Sequence, residues 1–172
     1  MVLIIDILSS AKKSTVGERR RDEVYVGAVP LRAQKGPAQL IMSAAYSANL
    51  WDLQHFMVII KPSSSPLLSQ VLVFDFQPQD PENIYVALAA LSGKKIPGFV
   101  LTRKLPKLPK SKCWFVGQSR LDAVDAANKF NENWQTDLRI GYHDCRNYTN
   151  GLVEYLTGKK YVLEHLRRNQ GK

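Results

Sequence analysis

The sequence has no hydrophobic run long enough to span a bilayer, only two cysteines, only three histidines, and 15 acidic residues against 24 basic ones. Each shortage narrows the choices. The longest apolar runs, Phe56 to Ile60 and Val71 to Phe74, fall far short of the ~20 residues a membrane helix needs and read as buried strands. Met1 to Ser10 is apolar, but it lacks a basic leading region, carries Asp6 and has no small-residue cleavage site, so secretion is not expected. An intracellular, cytoplasmic location is the expectation, with an organelle left open. Cys113 and Cys145 are too few for a disulfide framework, which fits a reducing compartment. With His55, His143 and His165 they form no spaced ligand pairs, so neither a metal nor another cofactor is expected.

What is present is apolar residues enough for a core: 172 residues at 45% hydrophobic content point to one domain. Residues 1–22 read as an N-terminal arm, 23–158 as the domain and 159–172 as a basic tail. Strands are expected at Val24 to Leu31, His55 to Lys61, Gln70 to Gln77, Gly98 to Arg103 and Lys112 to Gln118, from β-branched and aromatic enrichment between Pro, Gly and Ser breaks. Ala38 to Asn49 fits a strand or a short helix. Helical spacing predicts helices over Glu82 to Leu91, through Ile84, Leu88 and Leu91, and over Leu121 to Trp134, through Ala123, Val124, Ala127 and Phe130. The fold class is therefore α+β, an antiparallel sheet packed against helices, with a cysteine-bearing helix after the strands.

The +9 charge gathers at Lys12 to Arg21, at Arg103 to Lys112 and at Lys159 to Lys172. In the middle group, Arg103, Lys104, Lys107, Lys110 and Lys112 are candidates to bind an anionic partner, either an acidic membrane surface or an acidic protein. A solvated basic face is the plainer account. Nucleic acid is disfavoured, because the aromatics occupy apolar core positions and do not interleave with Lys and Arg on one exposed strand. Pro106 and Pro109 cannot donate to a ladder, so Lys104 to Lys110 is expected to be an exposed connection.

Chemistry gathers at Cys145. Asp144 is a good N-cap, Tyr148, Leu152, Tyr155 and Leu156 continue an apolar stripe, and Gly158 reads as the stop. Cys145 would be the first helical residue, where free N–H groups and the helix dipole favour a thiolate. A small buried packing residue is the alternative. A nucleophilic thiol needs a base and a group to orient it. His55 opens a strand apolar on both faces, and if it pairs with the next strand about a loop centred near residue 65, Asp75 falls opposite it. A slip of two residues would put Val73 or Gln77 there instead. Asp75 interrupts an apolar run where an unpaired carboxylate is costly, so a His55–Asp75 pair would satisfy both residues. His143 is the rival base. The backbone N–H of Cys145 is the first oxyanion donor, with Gln54 or Tyr142 as the second. Cys113 has no acid or histidine beside it and reads as structural.

The order His55-Phe56 opening a strand, a second strand with a polar residue, then Asp144-Cys145-Arg146-Asn147-Tyr148 at a helix start resembles the circularly permuted papain-like superfamily. That superfamily includes NlpC/P60 peptidases, lecithin:retinol acyltransferase-like proteins and PPPDE peptidases. The resemblance covers about Asp52 to Gly158. It departs from the acyltransferase-like pattern at Asp144, Arg146 and Asn147, and at Asp75, where those relatives carry a histidine. It implies a Cys145–His55–Asp75 site acting on an amide, ester or isopeptide carbonyl, by hydrolysis or acyl transfer, on an acyl or peptide substrate. A catalytically silent domain of the same fold, serving interaction or assembly, is the other reading.

Overall fold

The computed structural model describes residues 21–31, 36, 39, 40, 43, 44, 47, 48, 50–63 and 70–170. Within them the chain runs β1 (Glu23–Pro30), a single 3-10 turn (Trp51–Leu53), β2 (Gln54–Lys61), β3 (Val71–Pro78), α1 (Ile84–Leu91), β4 (Ile96–Leu105), β5 (Cys113–Gln118), α2 (Ala123–Glu132), β6 (Asp137–Leu138), α3 (Cys145–Thr157) and α4 (Val162–Gln170). The strands form one antiparallel sheet in the order β5-β1-β2-β3-β4-β6. The expected α+β class with an antiparallel sheet is what the chain adopts. Among the described residues no helix is long and apolar enough to cross a membrane.

β2 lies inside the sheet, and both its faces are buried, as its unbroken apolar run requires. Alternation divides them. Phe56, Val58 and Ile60 join β1, β3 and the helices in the main core, which includes Tyr148, Leu152 and Leu156 of α3. Met57 and Ile59 enter a second cluster with Val71 and Val73, closed by partly buried Tyr25, Val29, Leu105, Leu108 and Cys113. Burying a side chain the size of Phe56 completely contributes roughly 1.5–3 kcal/mol, so these central strands anchor the sheet.

Several expectations change in detail. Of the open segment 38–49, Gln39, Leu40, Ser43, Ala44 and Ser47 are helical. Ala48 follows in a turn, and the other positions of the segment, like most of the 1–22 arm, lie outside the described residues. The helix expected over Glu82 to Leu91 forms, but Leu88 and Leu91 are exposed, and α1 packs through Ala90, Val86 and Ala89. Small residues let a short helix sit close to the sheet. β4 continues to Leu105, so Lys104 belongs to a strand and the connection begins at Pro106. In it Leu108 turns inward to the second cluster while Lys107 and Lys110 stay in water, which accounts for the Leu-Pro-Lys alternation. Over residues 159–172, α4 covers Val162–Gln170 and adds Val162 and Leu163 to the core. Its Arg167 forms a two-pronged ion pair with Asp52 at 3.2 and 3.0 Å, tying the last helix to the turn before β2.

The start of β1 is held by Asp22, which is buried and accepts from the N–H groups of Ser63 at 2.7 Å and Ala123 at 3.0 Å. This joins the ends of β1, β2 and α2. Asp22→Ala would leave the buried Ala123 donor unpaired, and a loss of about 1–3 kcal/mol in unfolding free energy is expected, read as a lowered urea midpoint at constant slope.

Candidate active site

The start of α3 is over-determined by local bonds. Asp144 has an extended backbone and is the N-cap, with its carboxylate accepting from the Arg146 N–H at 2.9 Å and the Gly141 N–H at 2.7 Å. Asn147 answers from the third helical position, its Oδ1 accepting from the Asp144 N–H at 3.0 Å, which completes a capping box. The Arg146 guanidinium also donates to Asp144 at 2.8 Å. Arg146 and Asn147, which depart from the acyltransferase-like pattern, are therefore the residues that fix the helix start. Burial would raise the Asp144 pKa, but the Arg146 side chain, its charge and the two backbone donors hold it below the usual carboxylate range. At the other end Gly158, at φ 78°, gives its N–H to Glu154 and stops the helix, as expected.

Cys145 is the first residue of α3 and is 9% exposed. Its surroundings are cationic on two sides. Arg146 interacts with it electrostatically, and His55 meets it both as a hydrogen-bond partner and through charge. The other face of the histidine is held by Asp75, whose Oδ1 bonds His55 Nε2. Nδ1 is thus the ring nitrogen left for the sulfur. Asp75 is 2% exposed. Burial alone would lower the pKa of His55, but the charge of Cys145 and the hydrogen bond and charge of Asp75 outweigh it and raise the pKa well above 6.5.

The hairpin brings His55 and Asp75 together, but not by the expected register. The ladder pairs Val58 with Phe74, Ile59 with Val73 and Ile60 with Leu72, two residues away from the alignment that places Asp75 opposite His55. Carried on to His55, this register puts Gln77 opposite. Asp75 reaches the ring diagonally, which is possible because positions 55, 75 and 77 share one face of the sheet. On the far side of Asp75 stands Arg103, its Nη2 3.5 Å from Oδ2 and 3.4 Å from the Met57 sulfur. Arg103 was expected to face an external anion. Its guanidinium is instead turned to the protein's own carboxylate, because Arg103 pairs with Val73 in the β3–β4 ladder and so lies on the Asp75 face.

Taken together, these contacts make a row of alternating charge from Arg103 through Asp75 and His55 to the thiol. Such a row can pass a proton between sulfur and ring. Compared with family models, curated proteins and solved structures, the chain matches none of them. The remaining candidates sort by position. His143 is half-buried and stacked on Trp134 at 4.3 Å, with Nε2–H donating to the Gln135 carbonyl at 2.8 Å, so it serves the aromatic packing around Phe76. Tyr142 is 72% exposed beneath the Arg139 guanidinium. Gln54 is buried, and alternation sends it to the Phe56 face, against which α3 packs. Lys104, Lys107 and Lys110 are exposed, whereas Lys112 is half-buried with its pKa pushed down by burial. Burial raises the Cys113 pKa, and both cysteines are free. Among the described residues, no group of three or more His, Cys, Asp or Glu is arranged to hold a metal.

The raised pKa of His55 sets a sign. Stability from its interactions is fully present below its unfolded value of 6.5 and lost as pH rises through the folded value. The His55 Hε1 resonance is therefore expected to stay at its imidazolium position from pH 6 to 8. Asp75→Asn should bring its titration back toward neutrality, and proton NMR checks both.

Proposed function

We propose that this chain is a cysteine hydrolase or acyltransferase of the permuted papain-like kind, acting on an amide, ester or isopeptide carbonyl. The observation that carries the reading is a single histidine ring held between a buried carboxylate and a thiol at the first position of a helix. A structural cysteine has no need of either partner. The order of chain elements, His55 on an early strand and Cys145 on a later helix, agrees with the resemblance in sequence.

In this reading the Cys145 thiolate attacks the carbonyl carbon, forming a C–S bond while the carbonyl electrons move to oxygen. The N–H of Cys145 is the first donor to that oxyanion, and Gln54, on the α3 side of β2, is the side-chain candidate for the second. Collapse of the tetrahedral adduct breaks the bond to the leaving nitrogen or oxygen, which takes the proton from His55 Nδ1. Water, or an amine or alcohol acceptor, then gives its proton to His55 as it attacks the thioester, and departure of the sulfur restores the thiolate. Asp75 holds the ring throughout. The exposed Lys104, Lys107 and Lys110 would draw an anionic surface or acidic substrate toward the protein.

The rival reading, an inactive domain of the same kind used for assembly, draws on one observation: Cys145 and His55 are each only 9% exposed. Alkylation separates the two. Iodoacetamide at pH 7 should modify Cys145 faster than a free thiol, and His55→Ala should slow it at least about tenfold. A p-nitrophenyl ester should release one equivalent of nitrophenol in a burst and leave the acyl mass on Cys145. A slow thiol indifferent to His55→Ala would favour the assembly reading.

A further inference from the structure

We infer that Arg103 is a positioning residue for this site, one that keeps Asp75 aligned so that Asp75 can hold His55. The inference rests on the thiol–histidine reading above and adds to it a residue outside the three that carry the chemistry. Asp75 is the central strand position of the arrangement. In the β3–β4 ladder it pairs with Leu101, and Arg103 pairs with Val73, so Arg103 approaches diagonally from β4 as His55 approaches diagonally from β2. The two cations take different oxygens: His55 Nε2 meets Oδ1, and Arg103 Nη2 lies 3.5 Å from Oδ2. A carboxylate with one partner can turn about its Cβ–Cγ bond, whereas one with a partner on each oxygen cannot without losing a contact.

Arg103 is suited to this place. A guanidinium keeps its charge across the working pH range, so it offers Asp75 a fixed partner whatever the state of His55. A carboxylate only 2% exposed needs that support when the ring becomes neutral during turnover. The Arg103 head is steadied in turn by its contact with the Met57 sulfur at 3.4 Å, and Met57 lies two residues from His55 on the same face of β2. The other groups around Asp75 do not duplicate this role. From α3, Tyr148 senses the Asp75 charge, but its hydroxyl is committed to Asn131 at 2.7 Å, and its pKa is raised by burial first and by Asp75 second. Cys145 lies beyond His55, and Arg146 is engaged by Asp144.

The test is the pH profile of Cys145 alkylation by iodoacetamide for the full chain, with thermal melting to confirm folding. Removing the Arg103 charge by Arg103→Gln should move the acid limb of the profile up by about one pH unit, a fall of about tenfold in rate at a pH on that limb, with the rate at high pH unchanged. Arg103→Lys should restore most of the shift. Should Arg103→Gln fail to fold, Arg103→Met, which preserves the aliphatic stem beside Met57, is read the same way, with the same expected shift. A profile for the neutral variants that superimposes on wild type overturns the inference, as does an Arg103→Lys profile identical to that of Arg103→Gln. His55→Ala is run in parallel. If it matches wild type, the thiol–histidine reading itself fails. If it is slow while Arg103→Gln tracks wild type, only the role of Arg103 falls.

Discussion

A carboxylate buried in the middle of a six-stranded sheet is the constraint on which the rest of the site depends. Asp75 is 2% exposed on a strand whose neighbours Val73, Phe74 and Phe76 are wholly apolar and buried. Water cannot solvate its charge, so the flanking strands must. β2 supplies His55 to one oxygen and β4 supplies Arg103 to the other. The local dielectric is low, and these contacts are correspondingly strong. It also makes any one of them expensive to remove, because the groups left behind stay buried.

Around that centre, charge alternates outward to the thiol and to Arg146, and the helix that carries Cys145 is locked at its first turn. The lock explains the unusual residues after the cysteine. Asn147 closes the capping box and Arg146 neutralises Asp144, so both side chains work on the helix start and not on an external ligand. The Arg167–Asp52 ion pair holds α4 against the turn that leads into His55, giving the chain's last helix a share in positioning the site. Two readings of the basic residues divide here too: Arg103 is turned inward, while Lys104, Lys107 and Lys110 face solvent.

Local patterns were legible wherever one element decides them. The five strands beyond β6, the Asp144 cap, the Gly158 stop and the inward aspect of β2 follow from residue type and spacing, with boundaries moved by a few residues. β6 was not legible, because two residues, Asp137 and Leu138, carry no periodicity. In α1 the spacing of Leu88 and Leu91 indicated a helix correctly but pointed to the wrong buried face, since the packing goes through Val86, Ala89 and Ala90. A basic run likewise hid Arg103, whose partner is a strand away and invisible to any count along the chain.

What the amino-acid order determined by itself was parity and local conformation. Strand side chains alternate with period two, so His55, Met57 and Ile59 take one face of their strand and Val71, Val73 and Asp75 one face of theirs, and Cys145 begins a helix because a capping residue and an apolar stripe fix that start. Which residues meet was decided only by tertiary structure. The β2–β3 register lies two residues from the simple loop count, since a shift of two preserves every buried face and is therefore chosen by packing across the whole sheet. The same packing places Arg103 on Asp75, stacks His143 on Trp134 and brings the start of α3 to His55. Contacts between distant segments depend on how complete faces fit, and that is not written at any single position.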